Sequence, residues 1–285
     1  MTGKIIVHRR ADRYIGEIVI DNPGKSNAIT AAMVAEFCAA LDAFERDNDV
    51  KVIVISGSGP DLTVGSDVDE IARRFEKKSG DGRERPVNQR VRFDAANLWW
   101  GPHGLYRRVL HCPKVTILAA KGLCFEAGLY LATYCDLTIA AETAVFANPH
   151  WQHLGVNGDI SMLVAAVGLK RAKDLVYTGA RWSARDAVSF GLIDGVTAAE
   201  QHDQAIETLA NSCAMIMRDA VASEKQIIAA ALARMQIDTG FGAAAVLGAW
   251  STNIHFRDGE FNLLREMKQI GRTKALHKSD EHFKG

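Results

Sequence analysis

The segment Pro149-His150-Trp151-Gln152-His153-Leu154-Gly155-Val156-Asn157-Gly158-Asp159 gathers two imidazoles and a carboxylate, with His150 and Asp159 nine residues apart. A neutral imidazole takes a proton from water near pH 7, and a carboxylate on its other nitrogen would fix the tautomer and stabilise the imidazolium. His150 and Asp159 therefore read as an acid/base pair. His153 reads as a second base or as a histidine of the wall. Glu126, on a turn leading into a helix, reads either as a solvated or self-capping side chain or as a pocket acid that orients water. Tyr130 reads as a hydrogen-bond donor to substrate or as packing. The five cysteines, Cys38, Cys112, Cys124, Cys135 and Cys213, form no CxxC pair and no metal-ligand spacing, so reduced, mostly buried thiols and no metal centre are expected.

These groups need rigid elements behind them. Lys4 to Ile20 alternates and then runs apolar before Asp21-Asn22-Pro23-Gly24, the pattern of a strand pair ending in a turn. Met33, Val34, Phe37, Leu41 and Phe44 recur at helical spacing behind Thr30, a natural N-cap, and Ser183 stands as an N-cap further on. Val50 to Gly57, Lys114 to Ala120 and Leu137 to Ala141 are short apolar runs, as in strands buried on both faces. Strands alternating with helices predict an α/β fold with parallel pairing. From Ala198 onward only helical spacing remains, so a core over 1–197 and a helical region over 198–285 are expected. Glu70 to Gly104, with its EKKSGDGRERP run and Trp99-Trp100-Gly101-Pro102, is the least regular part. It reads as a mobile surface excursion, or as a lid whose tryptophans close over a pocket.

Composition sets the bounds. The 285 residues suffice for one large domain or two ordinary ones, at about 150 residues per domain. Apolar residues make up 48% and charged residues 24%, which excludes a disordered or fibrous chain. Lys plus Arg and Asp plus Glu both number 34, so no global positive field draws in nucleic acid or anionic lipid. No run of roughly 18 apolar residues is present, and MTGKIIVHRRAD is too polar for a secretion signal, so a cytoplasmic protein is expected.

Several ordered motifs resemble the crotonase, or enoyl-CoA hydratase/isomerase, superfamily. They are Asn22-Pro23 with Asn27-Ala28, the strand Val52 to Gly57, Val64-Gly65-Ser66-Asp67-Val68-Asp69-Glu70-Ile71, Pro113 to Gly122, Cys135 to Glu142, Phe146-Ala147-Asn148-Pro149, Gly168-Leu169, and Thr178-Gly179 through Gly191-Leu192-Ile193. The resemblance covers Ile15 to Val196 well and the helical region loosely. It implies a spiral of repeated ββα units with a C-terminal helical region, usually assembled as a trimer or a dimer of trimers. It also implies a shared chemistry, in which a thioester or ketone oxygen becomes an enolate held by two backbone N–H groups. By position these donors are the amides of Ser66 and Ala127, the latter at a helix start where anions are favoured. The family usually has three glycines at this turn, where this chain has Glu126-Ala127-Gly128.

The departures carry the specific expectation. Hydratases of the family place glutamates where this chain has Tyr130 and His150. The spacing of His150 and Asp159 is similar to that of the carbon–carbon hydrolase branch typified by 6-oxocamphor hydrolase, which opens cyclic β-diketones. That branch carries a further N-terminal His, with no counterpart between Asn27 and Phe37. A hydrolytic, retro-Claisen reaction or an atypical hydration is thus expected, on a CoA thioester or a cyclic β-diketone. Ordinary enoyl-CoA hydration, isomerisation, and a catalytically silent scaffold or RNA-binding member are the alternatives. If the ligand carries CoA, the resemblance assigns its binding to Lys25, Ala28 and either Arg265 or Lys268.

Overall fold

The alternating N-terminal segment folds as a hairpin, β1 (Lys4–Arg10) antiparallel to β2 (Ile15–Asp21), with Lys4 opposite Asp21 and Arg10 opposite Ile15. The computed structural model describes residues 3–75, 89–154, 158–250 and 256–283. Helix α1 (Ala31–Arg46) follows, opened by Thr30, whose side chain accepts a hydrogen bond from the Met33 N–H at 3.2 Å. Its Met33, Val34, Phe37, Leu41 and Phe44 are buried, as their spacing predicts. Next come β3 (Val52–Gly57), α2 (Val68–Phe75), α3 (Gln89–Trp100), α4 (Leu105–Leu110), β4 (Val115–Ala120), β5 (Leu123–Phe125), α5 (Ala127–Tyr134), β6 (Leu137–Ala141) and β7 (Val145–Ala147). Then follow α6 (His150–Leu154), α7 (Ser161–Val167), α8 (Leu169–Thr178), β8 (Trp182–Ser183), α9 (Ala184–Ser189) and β9 (Gly195–Thr197). Helices α10 (His202–Ala214), α11 (Arg218–Arg234), α12 (Ile237–Trp250), α13 (Leu263–Ile270) and α14 (Arg272–His282) complete the described chain.

Six strands form one sheet in the order β1-β2-β3-β4-β6-β9, parallel from β2 onward, and β5, β7 and β8 form a second sheet. β4 and β6 are each followed by a strand of the small sheet and then a helix, so the ββα unit repeats. Both faces of the large sheet are covered, which explains the uninterrupted apolar runs. Ile53 and Ile55 join α1 in the main core, whereas Val52 and Val54 face Ile206, Ala210 and Ala214 of α10. The helices beyond residue 198 are thus packed onto the sheet. Helix α12 also sends Phe241, Ala244 and Ala245 into the main core.

The irregular reading of Glu70 to Gly104 is corrected. Residues 76–88 lie outside the described residues, but what flanks them is helix, α2 and α3. Trp99 and Trp100 are only 6% and 3% exposed, inside the main core and not on a surface excursion. Trp100 packs on Tyr106 at 4.5 Å and edge-on to Tyr130 at 4.6 Å between ring centroids, so it is core packing and not an outer lid. Helical spacing is hidden in α3 because its amphipathicity is inverted. Arg92 is 6% exposed while Val91 and Phe93 are 54% and 38% exposed.

Ser183 caps α9 as expected, in a reciprocal pair with Asp186. All five cysteines are free thiols, and burial pushes Cys112 up to about 12. Among the described residues no helix is long and apolar enough to cross a membrane.

Candidate active site

Two stretches of backbone meet to form the candidate anion hole. Thr63 pairs with β5 through Thr63 N–H to Leu123 O and Phe125 N–H to Thr63 O, both 2.9 Å. Three residues on, Ser66 bridges to Ile29, with Ile29 N–H donating to Gly65 O at 2.8 Å. Asn27 anchors this crossing, its side-chain amide donating to Ser58 O at 2.8 Å and Asp61 O at 2.9 Å. Asn22 donates from its side chain to Ala28 O at 2.8 Å. The asparagines of the two motifs are therefore scaffolding that holds the Ser66 amide in place.

The other half is the β5–α5 turn. Glu126 has φ +45°, its N–H donates to Ala147 O at 3.0 Å, and Ala127 is the first residue of α5. An amide at that position has no partner within its own helix and lies at the positive end of the helix dipole. Glu126, left open in sequence, turns back across the hole. One carboxylate oxygen accepts from the Ser66 N–H at 2.6 Å and from the Ser66 hydroxyl at 3.1 Å.

His150 opens α6 and lines a cleft of about 480 Å³ together with Ser66, Ala28, Phe125 and Lys25. Burial lowers the imidazole below its ordinary 6.5, and the charge of Glu126 partly opposes that shift. Asp159 is buried, one oxygen accepting from Ser161 N–H at 3.1 Å and from the Ser161 hydroxyl at 2.6 Å. Its other oxygen has no hydrogen-bond partner among the described residues. Among the described residues no hydrogen bond joins His150 to Asp159, and the carboxylate whose charge reaches the imidazole is that of Glu126. Asp159 is packed against bare Gly240 of α12, where a Cβ would collide with its carboxylate. The His153 side chain lies outside the described residues.

Tyr130 is buried in an aromatic wall of Trp100, Tyr106, Tyr134 and Trp151. Burial first, and then the charge of Glu126, raises its hydroxyl well above 10, so it stays a protonated donor at neutral pH. Tyr106 is raised for the same two reasons. Trp100 and Tyr106 belong to the main core and do not line the cleft.

The mouth of the cleft carries cations that are already paired. Lys25 Nζ lies 2.7 Å from Asp67 and 2.8 Å from Asp69. Burial alone would raise the Asp67 carboxyl, but the hydrogen bonds from Lys25 and the Asp69 N–H outweigh it and hold it below its usual value. Arg272 stands 3.8 Å from Asp69, and Arg181 donates to Asp280 at 2.7 Å. Lys25 and Ala28 line this cleft. Arg265 and Lys268 do not, being on exposed positions of α13, and Arg272 is the guanidinium that α14 supplies. The signal that could have found it is its place at the first residue of a helix after Gly271, one turn ahead of pocket-facing Leu276.

Comparison with known proteins identifies the class. The family model described as enoyl-CoA hydratase/isomerase matches residues 10–259, so the chain belongs to that family. It is 29% identical over 238 residues to a Thermus thermophilus protein whose name places it with the enoyl-CoA hydratases, covering 83% of this chain and 88% of the relative. It is 27% identical over 209 residues to the peroxisomal Delta(3,5)-Delta(2,4)-dienoyl-CoA isomerase of Arabidopsis thaliana, covering 72% and 73%. A crystal structure of an enoyl-CoA hydratase/isomerase from Xanthobacter autotrophicus Py2 superposes with a TM-score of 0.79 over 99% of both chains, at 24% identity. The fold is thus the crotonase-type α/β fold that the motifs led us to expect.

Proposed function

We propose that this member of the enoyl-CoA hydratase/isomerase family hydrolyses a carbon–carbon bond of a cyclic β-diketone. His150 is the base, and the Ser66 and Ala127 amides hold the enolate. One observation carries the reading. The imidazole that stands where a hydratase would have a glutamate lines the cleft, and its burial keeps it neutral at pH 7. In the proposed step His150 takes a proton from water as the water oxygen bonds to one carbonyl carbon. The bond from that carbon to the carbon between the two carbonyls then breaks, its electron pair passing into the enolate of the other carbonyl. The imidazolium returns the proton to that carbon, so diketone plus water gives a keto acid with no other reactant. Glu126 is the carboxylate whose charge reaches the imidazole and would offset the imidazolium.

The paired state of Lys25, Arg181 and Arg272 supports a substrate without phosphates, since a nucleotide would have to compete with Asp67, Asp69 and Asp280. A second reading, hydration or isomerisation of an acyl-CoA, is favoured by the presence of those same cations and Ala28 at the cleft. Assembly as a trimer or hexamer, which the resemblance implies, is part of the proposal. Calorimetric titration with a bicyclic 1,3-diketone and, in parallel, with acetoacetyl-CoA separates the readings. Binding and cleavage of the free diketone is expected, and tight binding of the thioester alone would overturn it.

A further inference from the structure

The carboxylate of Glu126 occupies the space an enolate oxygen would need. It accepts from the Ser66 N–H at 2.6 Å, a charge-assisted distance, and from the Ser66 hydroxyl at 3.1 Å. Two backbone features favour this pose. Glu126 sits at φ +45°, a conformation that costs a residue with a Cβ, and Gly65 at φ +94° leaves a bare face against which the Glu126 side chain lies. A Cβ at position 65 would fall 2.6 Å from Glu126 Cβ and collide with its carboxylate. The conformation is thus held from both sides of the hole. Among the described residues no hydrogen bond from a cation of the cleft mouth reaches Glu126; Lys25, Arg181 and Arg272 are engaged by Asp67, Asp69 and Asp280.

We infer that Glu126 is a built-in occupant of the anion hole, and that substrate must displace it. The consequence is a selection rule that rests on, and narrows, the reading given above. An ordinary ester or ketone oxygen is a weaker acceptor than a carboxylate and leaves the occupant in place. An oxygen that carries a full negative charge replaces it: the enolate of a 1,3-dicarbonyl that has lost its central proton, or the enolate that develops as the carbon–carbon bond of a neutral diketone breaks. Glu126 is in this sense a specificity-determining residue, and the displaced carboxylate remains near His150, whose electrostatics it already influences.

The test uses three proteins and two dicarbonyl probes. Glu126→Gly removes the occupant and tolerates a positive φ, whereas Glu126→Gln keeps the shape and an acceptor oxygen but loses the charge. The first probe, 1,3-cyclohexanedione, enolises readily; the second, 2,2-dimethyl-1,3-cyclohexanedione, has no proton between its carbonyls to lose. Calorimetry should show the enolising probe binding Glu126→Gly at least about tenfold more tightly than the wild type, with Glu126→Gln between them. The non-enolising probe, neutral at both carbonyls, should bind the wild type more weakly than the enolising probe does and should gain affinity in Glu126→Gly. Equal affinity of the enolising probe for wild type and Glu126→Gly overturns the inference while leaving the diketone reading standing. If instead the diones bind none of the three proteins and acetoacetyl-CoA binds Glu126→Gly more tightly than wild type, the occupant stands and the free-diketone reading falls. A probe-independent check is the Ser66 amide proton by NMR. It should be far downfield in the wild type and move upfield in both variants, and an unmoved resonance contradicts the occupant.

Discussion

The anion-hole turn and the mouth of the cleft are built on opposite principles. At the turn, backbone positions the functional groups. The Ser66 and Ala127 amides are placed by the Thr63–Leu123 and Ile29–Gly65 ladders and by Asn27, so the donors do not depend on which side chains residues 126 and 127 carry. At the mouth, side-chain charge does the positioning, and each cation meets a carboxylate of the same chain. Divergence from the relatives therefore falls on side chains and spares the backbone that carries the amides. On the proposed reading the backbone donors keep their places with Glu126 and Ala127 at the turn, and substrate choice falls to the Glu126 carboxylate in the hole and to the charges at the rim.

The comparison is tested hardest at the one side chain that the turn cannot replace. His150→Ala should lower kcat on the diketone by about 10²-fold to 10⁴-fold with the fold intact, measured by steady-state kinetics beside a thermal melt. Unchanged turnover would remove His150 from the chemistry. Gly65→Ala strikes the backbone instead. With φ +94° and the Glu126 Cβ only 2.6 Å from the added methyl, it should cost about 1–3 kcal/mol of stability and also lower kcat. A melt and a rate equal to wild type would show that the turn has slack. Asp69→Asn sharpens the other side of the comparison. Freeing part of Lys25 and Arg272 should tighten acetoacetyl-CoA binding by only a few-fold, the scale of a partly exposed ion pair at about 1 kcal/mol or less. A hundredfold gain would make the rim, and not the hole, the controlling feature.

The sequence made some parts of this legible and hid others for definite reasons. The buried strands and α1 announce themselves because both sheet faces are covered and because Met33 to Phe44 keep strict helical spacing. Helix α3 is hidden because Arg92 points in while Val91 and Phe93 point out. Ser66 and Ala127 are candidates through motif order alone, since backbone donors leave no mark in residue type. Glu126 was visible as a carboxylate on a turn, but its direction follows from a positive φ that composition does not reveal. The basic residue of the C-terminal helices was placed on α13, whereas the break at Gly271 turns the chain so that Arg272 reaches the cleft.

His150 also links the site to pH. Its folded value lies below the unfolded value of about 6.5, so between the two the folded state binds fewer protons. The stability it contributes is therefore complete above about 6.5 and is lost as pH falls through that window. The same lowered value bears on the central claim, that a neutral imidazole is the working base. The most direct test is the pH profile of kcat/KM for diketone cleavage by the wild type. We predict a plateau through neutral pH and a fall only below about 6.5. A rate that is still climbing above pH 7, or that holds its plateau in His150→Ala, would contradict it.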